Sequence, residues 1–500
     1  MEKENSCIAY VKNLSKQTFS SAINLQVDKQ ADIKTILNIS CYVFDEKIET
    51  ANGKAVVSGK IGANVLYVDT DNITSTITET QPFSENLIDS SITTDCHIAL
   101  NNLCSSCQVE TDTPNKIVCN VSFVPTMYVN LAFKSLNSDN ENIVTKKSNI
   151  FSTEISSKIN TSFNYSSILE TKDEISKVLF SHSIFKPTNI TAQNGFAIVE
   201  GKLTSKIIYE YVENEETKIK QLDDIFTIKT DVEIENLTEN NLLDLTFSIN
   251  KAKEDISTEI EEGNSVITIN NLIMVKGIAF KQVELDLVED LYSVSNELTI
   301  SKCSRDLICE NKTNFVEDNI YGEISLNKTE TAIDDVICNS NESVEITNTY
   351  IKDNFVYFEG IINSTLIYVD EEKTIKNKQL ELPFVINTKI ENNKLPANTI
   401  EVCATTTKIK VRRGTIIELE YNINAVIYTF NSCNKEIVDN IQLGTNLDFS
   451  KYDYQIYIAK PNETMWDICK RIKCYPDDIN RFNKNLPLNF AGGEKIIIKR

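Results

Sequence analysis

Glycine and proline are scarce in this 500-residue chain, at 13 and 9. That excludes collagen-like repeats and long Gly- or Pro-rich linkers. Only two histidines occur, His97 and His182, and one tryptophan, Trp466. No Cys–His–Asp arrangement, zinc motif or phosphate loop is found, so no catalytic residues are expected. No run approaches the roughly 18 apolar residues that a membrane helix needs. No apolar signal core follows Met1–Cys7. The expectation is a cytoplasmic chain with no direct membrane insertion. Thirteen cysteines, an odd number scattered without a framework, fit thiols kept reduced. Cys104 and Cys107 are the only close pair, and His97 alone stands near them. Zinc sites usually need two such pairs, or a pair plus histidines, so no metal or cofactor is expected.

What is present is a β-forming composition with uneven charge. Branched residues abound and the net charge is −22. Residues 451–500 carry +4 and the first 450 residues −26. An acidic body repels phosphate backbones and anionic headgroups, which disfavours nucleic acid as a partner. A basic tail on such a body suits an acidic partner.

One segment recurs three times, at Ala55–Tyr67, Ala197–Tyr209 and Val356–Tyr368. Each holds a glycine eight residues before a tyrosine: Gly59 and Tyr67, Gly201 and Tyr209, Gly360 and Tyr368. An acidic turn follows each tyrosine, and 16 or 17 residues beyond it comes Phe83, Phe226 or Phe384. Alternate positions through the glycine are apolar or small. The other face carries Lys60 and Asn64, Lys202 and Lys206, or Asn363 and Thr365. Period two over about eleven residues predicts a long half-buried strand, and the acidic turn predicts a hairpin. A glycine inside such a strand predicts a bulge or a close backbone approach. The tyrosines are read as core residues whose hydroxyls reach the rim. The acidic pairs Asp223–Asp224 and Asp334–Asp335 are read as solvated loops. A weaker echo at Phe19–Ser20, Phe151–Ser152 and Tyr292–Ser293 is taken to begin an extended run each time. The expected fold class is mainly β: three antiparallel sandwich-like domains at 1–145, 146–295 and 296–450, each with room for a short helix, and a small α+β module at 451–500. Leu136–Asn142 is read as a linker.

In the last 50 residues, alternation at Tyr454–Ile458 predicts a strand. Thr464 is placed to cap a helix carrying Met465, Ile468, Cys469 and Ile472 at i, i+3, i+4, i+7. Cys474–Pro476 is expected to stop it, and Asp477 or Asp478 to cap a second helix with Ile479 and Phe482. A returning strand follows at 492–498. The order is β-α-α-β.

These last residues resemble the LysM family, on Tyr454 and Ile456, Asn462–Ile468, Ile479–Asn483 and Gly493–Ile498. The family usually has Gly-Asp where this chain has Asn462–Glu463. The resemblance implies a shallow groove that binds N-acetylglucosamine-containing glycan, lined by Pro461, Asn462, Glu463, Thr464 and Met465 on one side and Asn483, Leu486, Pro487 and Leu488 on the other. Trp466 is a further candidate contact, or a packing residue. The repeated unit resembles the SPOCS domain of endospore formers, on its Gly–Tyr strands and on Asp290–Ser293. SPOCS units followed by one LysM module resemble a family of spore-coat morphogenetic proteins. That resemblance implies a non-catalytic adaptor in the mother cell at the forespore surface. It would bind the coat basement-layer ATPase, stage IV sporulation protein A, and other coat proteins, and help tether the coat. A glycan-binding protein is the alternative, and a cell-wall hydrolase the weaker one.

Overall fold

A computed structural model describes residues 5–26, 32–109, 116–134, 142–261, 263–390, 397–447, 454–484 and 486–499. Most of the linker read at 136–142 lies outside the described residues.

The first repeat builds two antiparallel sheets. One joins β1 (Asn5–Asn13) and β2 (Gln17–Asn24) end to end along one edge of β7 (Lys116–Lys134), with β6 (His97–Val109) on the other edge. The other sheet is β3 (Ile33–Ala51), β4 (Lys54–Asp69) and β5 (Thr74–Ile88), with β4 central. The inward residues of both, among them Val57, Ile61, Val65, Val121 and Phe123, close one core. Two sheets facing each other across interdigitated side chains make a sandwich, as predicted.

The second repeat uses the same plan. β8 (Ile143–Thr171), β12 (Leu242–Ile249) and β13 (Asp255–Glu261) flank β14 (Asn264–Ser293). They face β9 (Ile175–Gln193), β10 (Phe196–Glu213) and β11 (Glu216–Glu233). In the third repeat, β15 (Asn296–Ser325), β19 (Ala397–Arg412) and β20 (Ile416–Asn446) face β16 (Ile333–Lys352), β17 (Phe355–Asp370) and β18 (Ile375–Lys389). Among the described residues of the repeats the only helix is a single 3₁₀ turn at Lys251–Lys253.

The three Gly–Tyr segments are β4, β10 and β17, the middle strand of each smaller sheet. The glycines mark bulges in the strand before: the register slips opposite Gly59, beside Gly201 and beside Gly360. A methyl group on Gly360 would stand 2.5 Å from the Glu345 carbonyl oxygen and 2.7 Å from the Phe384 ring. At Gly201 it would meet the Phe185 ring at 2.5 Å and the Lys186 carbonyl oxygen at 2.6 Å, and at Gly59 the Phe83 ring at 2.9 Å. So each glycine lets an aromatic ring lie over the strand while a bulged carbonyl presses from the side. In the second copy the tyrosine-to-phenylalanine spacing is one residue longer. The hairpin there also closes three residues farther past the tyrosine, at Glu213 and Glu216, so Ile228 stands opposite Gly201, Phe226 sits opposite Leu203, and Phe185 of β9 covers Gly201 instead. Tyr67, Tyr209 and Tyr368 are buried, as expected of core residues. The Tyr209 hydroxyl donates to Asp173 at 2.6 Å. Asp69 and Asp370, which open the acidic turns, are buried too, and accept backbone N–H groups of their own turns. Asp223, Asp224, Asp334 and Asp335 are exposed, but they lie on β11 and β16 rather than in loops.

Two further expectations need correction. Tyr292 ends β14 rather than beginning a run, and Phe151 lies inside β8, so the weak echo marks no equivalent position. The cysteines are not all free thiols: Cys107–Cys119 joins β6 to β7, and Cys309–Cys433 joins β15 to β20. Directly or nearly opposed residues on neighbouring antiparallel strands are close enough to bond. Cys107 thereby belongs with Cys119, and His97 sits against the Tyr128 ring at 6.3 Å.

The repeats close on one another. Leu66, Ile208 and Ile367, each immediately before its repeat tyrosine, meet in one cluster with Leu37, Phe180 and Cys338. On the larger sheets Tyr128, Phe280 and Phe430, one from each repeat, meet tilted or edge-on with ring centroids 5.4–6.5 Å apart. Beside them buried Asp244 of the second repeat accepts from Tyr128 of the first at 2.6 Å and Thr399 of the third at 3.3 Å. Burial pushes the Asp244 carboxyl up to about 6, against the pull of those two hydroxyls. The outer faces that the alternation assigned to solvent are thus partly consumed: Lys206 is buried against Glu342 of the third repeat.

Candidate functional site

The C-terminal module consists of β21 (Tyr454–Ile458), α1 (Met465–Ile472), α2 (Pro476–Phe482) and β22 (Lys495–Lys499). β21 and β22 pair antiparallel, with Ile456 opposite Ile497. Ile468, Cys469, Ile472, Ile479, Phe490, Ile496 and Ile498 fill its core. Thr464 caps α1 in a reciprocal box: its hydroxyl accepts from the Asp467 N–H at 3.3 Å, and the Asp467 carboxylate accepts the Thr464 N–H at 2.9 Å. The second helix is not capped by Asp477 or Asp478. Tyr475 is its cap and Pro476 its first residue, while Asp477 and Asp478 lie in its first turn, where carboxylates favour the helix dipole.

The loop after β21 runs beside the loop before β22. The Asn462 N–H donates to the Phe490 carbonyl at 2.8 Å, and the Phe490 N–H to the Glu463 carbonyl at 2.9 Å. Asn462 has φ +62°. Asparagine tolerates that left-handed conformation, so it stands where the resembled family has glycine without strain. Pro461 and Asn462 are exposed on this loop, and Pro487 and Leu488 on the facing one, Leu488 at 91%. The other sequence-predicted residues are engaged inside the protein. Glu463 is buried: it accepts from the Tyr457 hydroxyl at 2.9 Å and the Lys460 N–H at 2.9 Å, and pairs with Arg471 at 2.5 Å. Burial works against its charge, but these donors hold its carboxyl below the usual range. Met465 and Leu486 pack against the module core. The Asn483 amide bonds the Ile497 carbonyl at 2.6 Å and accepts the Ile497 N–H at 2.8 Å, covering the free edge of β22.

Trp466 points to the second repeat. Its indole N–H donates to Asp290 at 2.9 Å and its ring meets Tyr292 edge-on at 5.1 Å. Lys470 pairs with the same Asp290 at 2.7 Å, and the Tyr292 hydroxyl donates to the Cys474 carbonyl at 2.7 Å. Burial raises the Asp290 carboxyl, but Lys470 and the indole bring it below its ordinary value. The module is therefore clamped to the end of β14, and this contact takes up one side of α1.

The sheet face away from the module core is open. Tyr454, Ile456 and Ile458 are 59%, 66% and 60% exposed, and Ile497 lies beside them at 43%. Lys499 and Lys495 stand opposite Tyr454 and Ile458 in register. Scattered exposed apolar residues are ordinary, but four together on one sheet face are characteristic of contact surfaces. The alternation at 454–458 had shown the strand without showing that its apolar side faces outward.

Among the described residues no helix is long and apolar enough to cross a membrane. Three copies of one two-sheet unit, closed on each other and carrying a small α+β module, define a repeat-built β protein. Residues 32–111 match the family model described as SipL, SPOCS domain. The chain thus carries a SipL-type SPOCS domain over these residues, which supports a SipL-like, sporulation-related protein. The matched stretch spans β3 to β6, which includes the first Gly–Tyr strand. No curated protein and no solved structure matches the chain significantly.

Proposed function

We propose that the chain is a non-catalytic spore-coat morphogenetic adaptor, made of SPOCS units at 1–145, 146–295 and 296–450 and a LysM module at 451–500. The module binds the coat basement-layer ATPase of the stage IV sporulation protein A class, while the repeats hold it at the forespore surface and contact other coat proteins. The observation that carries this reading is the open face of Tyr454, Ile456, Ile458 and Ile497, framed by Lys495 and Lys499. A flat apolar strip between cations suits an acidic protein surface better than a sugar, which calls for polar groups converging on a groove. Of the ten residues that the LysM resemblance points to, only Pro461, Asn462, Pro487 and Leu488 are largely exposed.

Pull-down of the ATPase with the full chain, with Ile456→Asp and with a chain lacking 451–500 tests it. Capture should fall at least tenfold in both variants, and undiminished capture without the module would sink the reading. Calorimetry with muropeptide or chitin fragments serves the glycan reading: heat that depends on Asn462 and Leu488, with ATPase capture unaffected, would replace one by the other.

A further inference from the structure

We propose that Cys41, Cys107 and Cys119 form, in the reduced protein, a three-thiolate site for a thiophilic closed-shell cation, zinc or cuprous ion. Cys41 comes from β3 of the smaller sheet, and Cys107 and Cys119 from β6 and β7 of the larger one. The three sulfurs lie within 4.8 Å of one another. Sulfurs bound at about 2.3 Å around one cation stand roughly 4 Å apart, so small side-chain rotations bring all three to a metal. Thiolates select soft cations over magnesium or calcium.

The second and third repeats show what this place between the sheets otherwise contains. Cys41 pairs with Ala63, four residues after Gly59. Four residues after Gly201 stands Ser205, paired with Ser183. Ser205 is hydrogen-bonded to Ser167 at 2.9 Å and to Ser183 at 3.4 Å. Four residues after Gly360 stands Ser364, 2.6 Å from the Tyr421 hydroxyl. In those repeats hydroxyls tie one sheet to the other. The first repeat has alanine there and sulfur around it, so the tie between sheets passes to the cysteines. Ser105, whose hydroxyl donates to the Cys41 carbonyl at 2.6 Å, holds β6 against β3 at this level. Cys119 is buried, while Cys41 and Cys107 are partly exposed, which leaves an approach for the ion.

The Cys107–Cys119 disulfide is the alternative state of the same atoms. A dithiol reductant passes two electrons and two protons to that bond, yielding two thiols and its own disulfide. The cation then displaces the thiol protons of Cys107, Cys119 and Cys41 to the solvent and takes three sulfur ligands. Zinc keeps a water in its fourth position, and cuprous ion needs none.

The test uses the full chain, reduced with a dithiol and desalted without oxygen. It is titrated with Zn²⁺ and, separately, with Cu⁺ against chromophoric chelators. Cys41→Ser, Cys119→Ser and, as a control, Cys7→Ser are treated alike. The expected result is that wild type and Cys7→Ser hold about one equivalent more than the other two variants. Peroxide treatment should release that equivalent as the disulfide re-forms. Equal metal content in wild type and Cys41→Ser would overturn the proposal. X-ray absorption on the wild-type complex is independent of whether the variants fold. A first shell of three sulfurs supports the site, and one or two sulfurs overturn it. The metal with the larger difference identifies the ion.

Discussion

Removing the carboxylate of Glu342 should destabilise the assembled repeats far more than an ordinary surface substitution. Glu342 and Lys206 pair across the boundary of the third and second repeats, with side chains 0% and 5% exposed. Glu342 also accepts the Thr406 N–H at 3.0 Å and the Thr406 hydroxyl at 2.7 Å. Glu342→Gln keeps the shape but leaves the Lys206 ammonium buried without a counter-charge, which costs about 3–5 kcal/mol. Lys206→Met strands the carboxylate and should cost a similar amount. The double variant Lys206→Met/Glu342→Gln buries no charge and weakens only the bonds to Thr406, at about 1–3 kcal/mol. Urea unfolding of the four proteins should therefore give a coupling energy above about 2 kcal/mol. If the double variant loses the sum of the two singles, the pair is not desolvated and the packing of these repeats is wrong. The acid limb gives a second reading. Burial raises the Glu342 carboxyl, but Lys206 and His182 more than reverse this and bring it from 4.5 to about 2. A lowered carboxylate stabilises the fold fully above pH 4.5, and that contribution, about 3 kcal/mol, is lost as the pH falls towards 2. Glu342→Gln should abolish that part of the acid dependence.

The histidines act in a higher window. Burial brings both from 6.5 to about 4; Lys158 adds to this at His97, and at His182 Glu342 opposes it while Lys206 and Lys251 add to it. The unfolded chain then takes up protons first, so each contributes stability in full above pH 6.5 and loses about 3 kcal/mol by pH 4. His97→Phe/His182→Gln should flatten the melting temperature between pH 7 and 5, and an unchanged drop would refute the assignment. Alanine at Gly360 or Gly201 should cost about 1–3 kcal/mol and at Gly59 visibly less, in the order of the contacts their methyl groups would make. Equal thermal shifts at the three would mean that ring and bulge do not set the cost.

Much of the first repeat was legible because strand period and glycine chemistry are local. Alternation through Gly59, Gly201 and Gly360 marked three middle strands, and the glycines marked bulges, since each property depends on a few neighbouring residues. What stayed hidden depends on the other repeats. The face bearing Lys202 and Lys206 reads as solvated, yet Lys206 finds Glu342 136 residues away. One signal was available: Leu66, Ile208 and Ile367 all sit seven residues after the glycine, on the face assigned to water. An apolar residue kept there in three copies has to be covered by something, and it is covered by the other two copies. The module behaved likewise. Its caps and helix stripe follow from neighbours in sequence, whereas the direction of Trp466 depends on Asp290 and Tyr292, 176 and 174 positions earlier.

That closure bears on where a partner can bind. Each repeat offers two outward sheet faces, and an isolated sandwich would present both. Here one junction takes the residues before the three tyrosines, and the other takes Tyr128, Phe280 and Phe430. Much of the apolar surface of the outer faces is spent inside the molecule; on the smaller sheets Ile88, Val212, Ile225 and Val385 stay exposed among charged or polar residues such as Lys60, Lys202 and Glu216. A further apolar set at the far end of β14 is taken by the module through Tyr292. The strip at 454–458 with Ile497 has no such cover. A scaffold that has used much of its own apolar surface internally, and fixes a small module by an aromatic and an ion pair at one end, presents that module in one orientation. Holding the strip in place before a partner arrives removes part of the ordering cost of association. This favours a module that works as a fixed extension of the second repeat over one swinging on a tether, and the Asp290 clamp is the contact on which the difference rests.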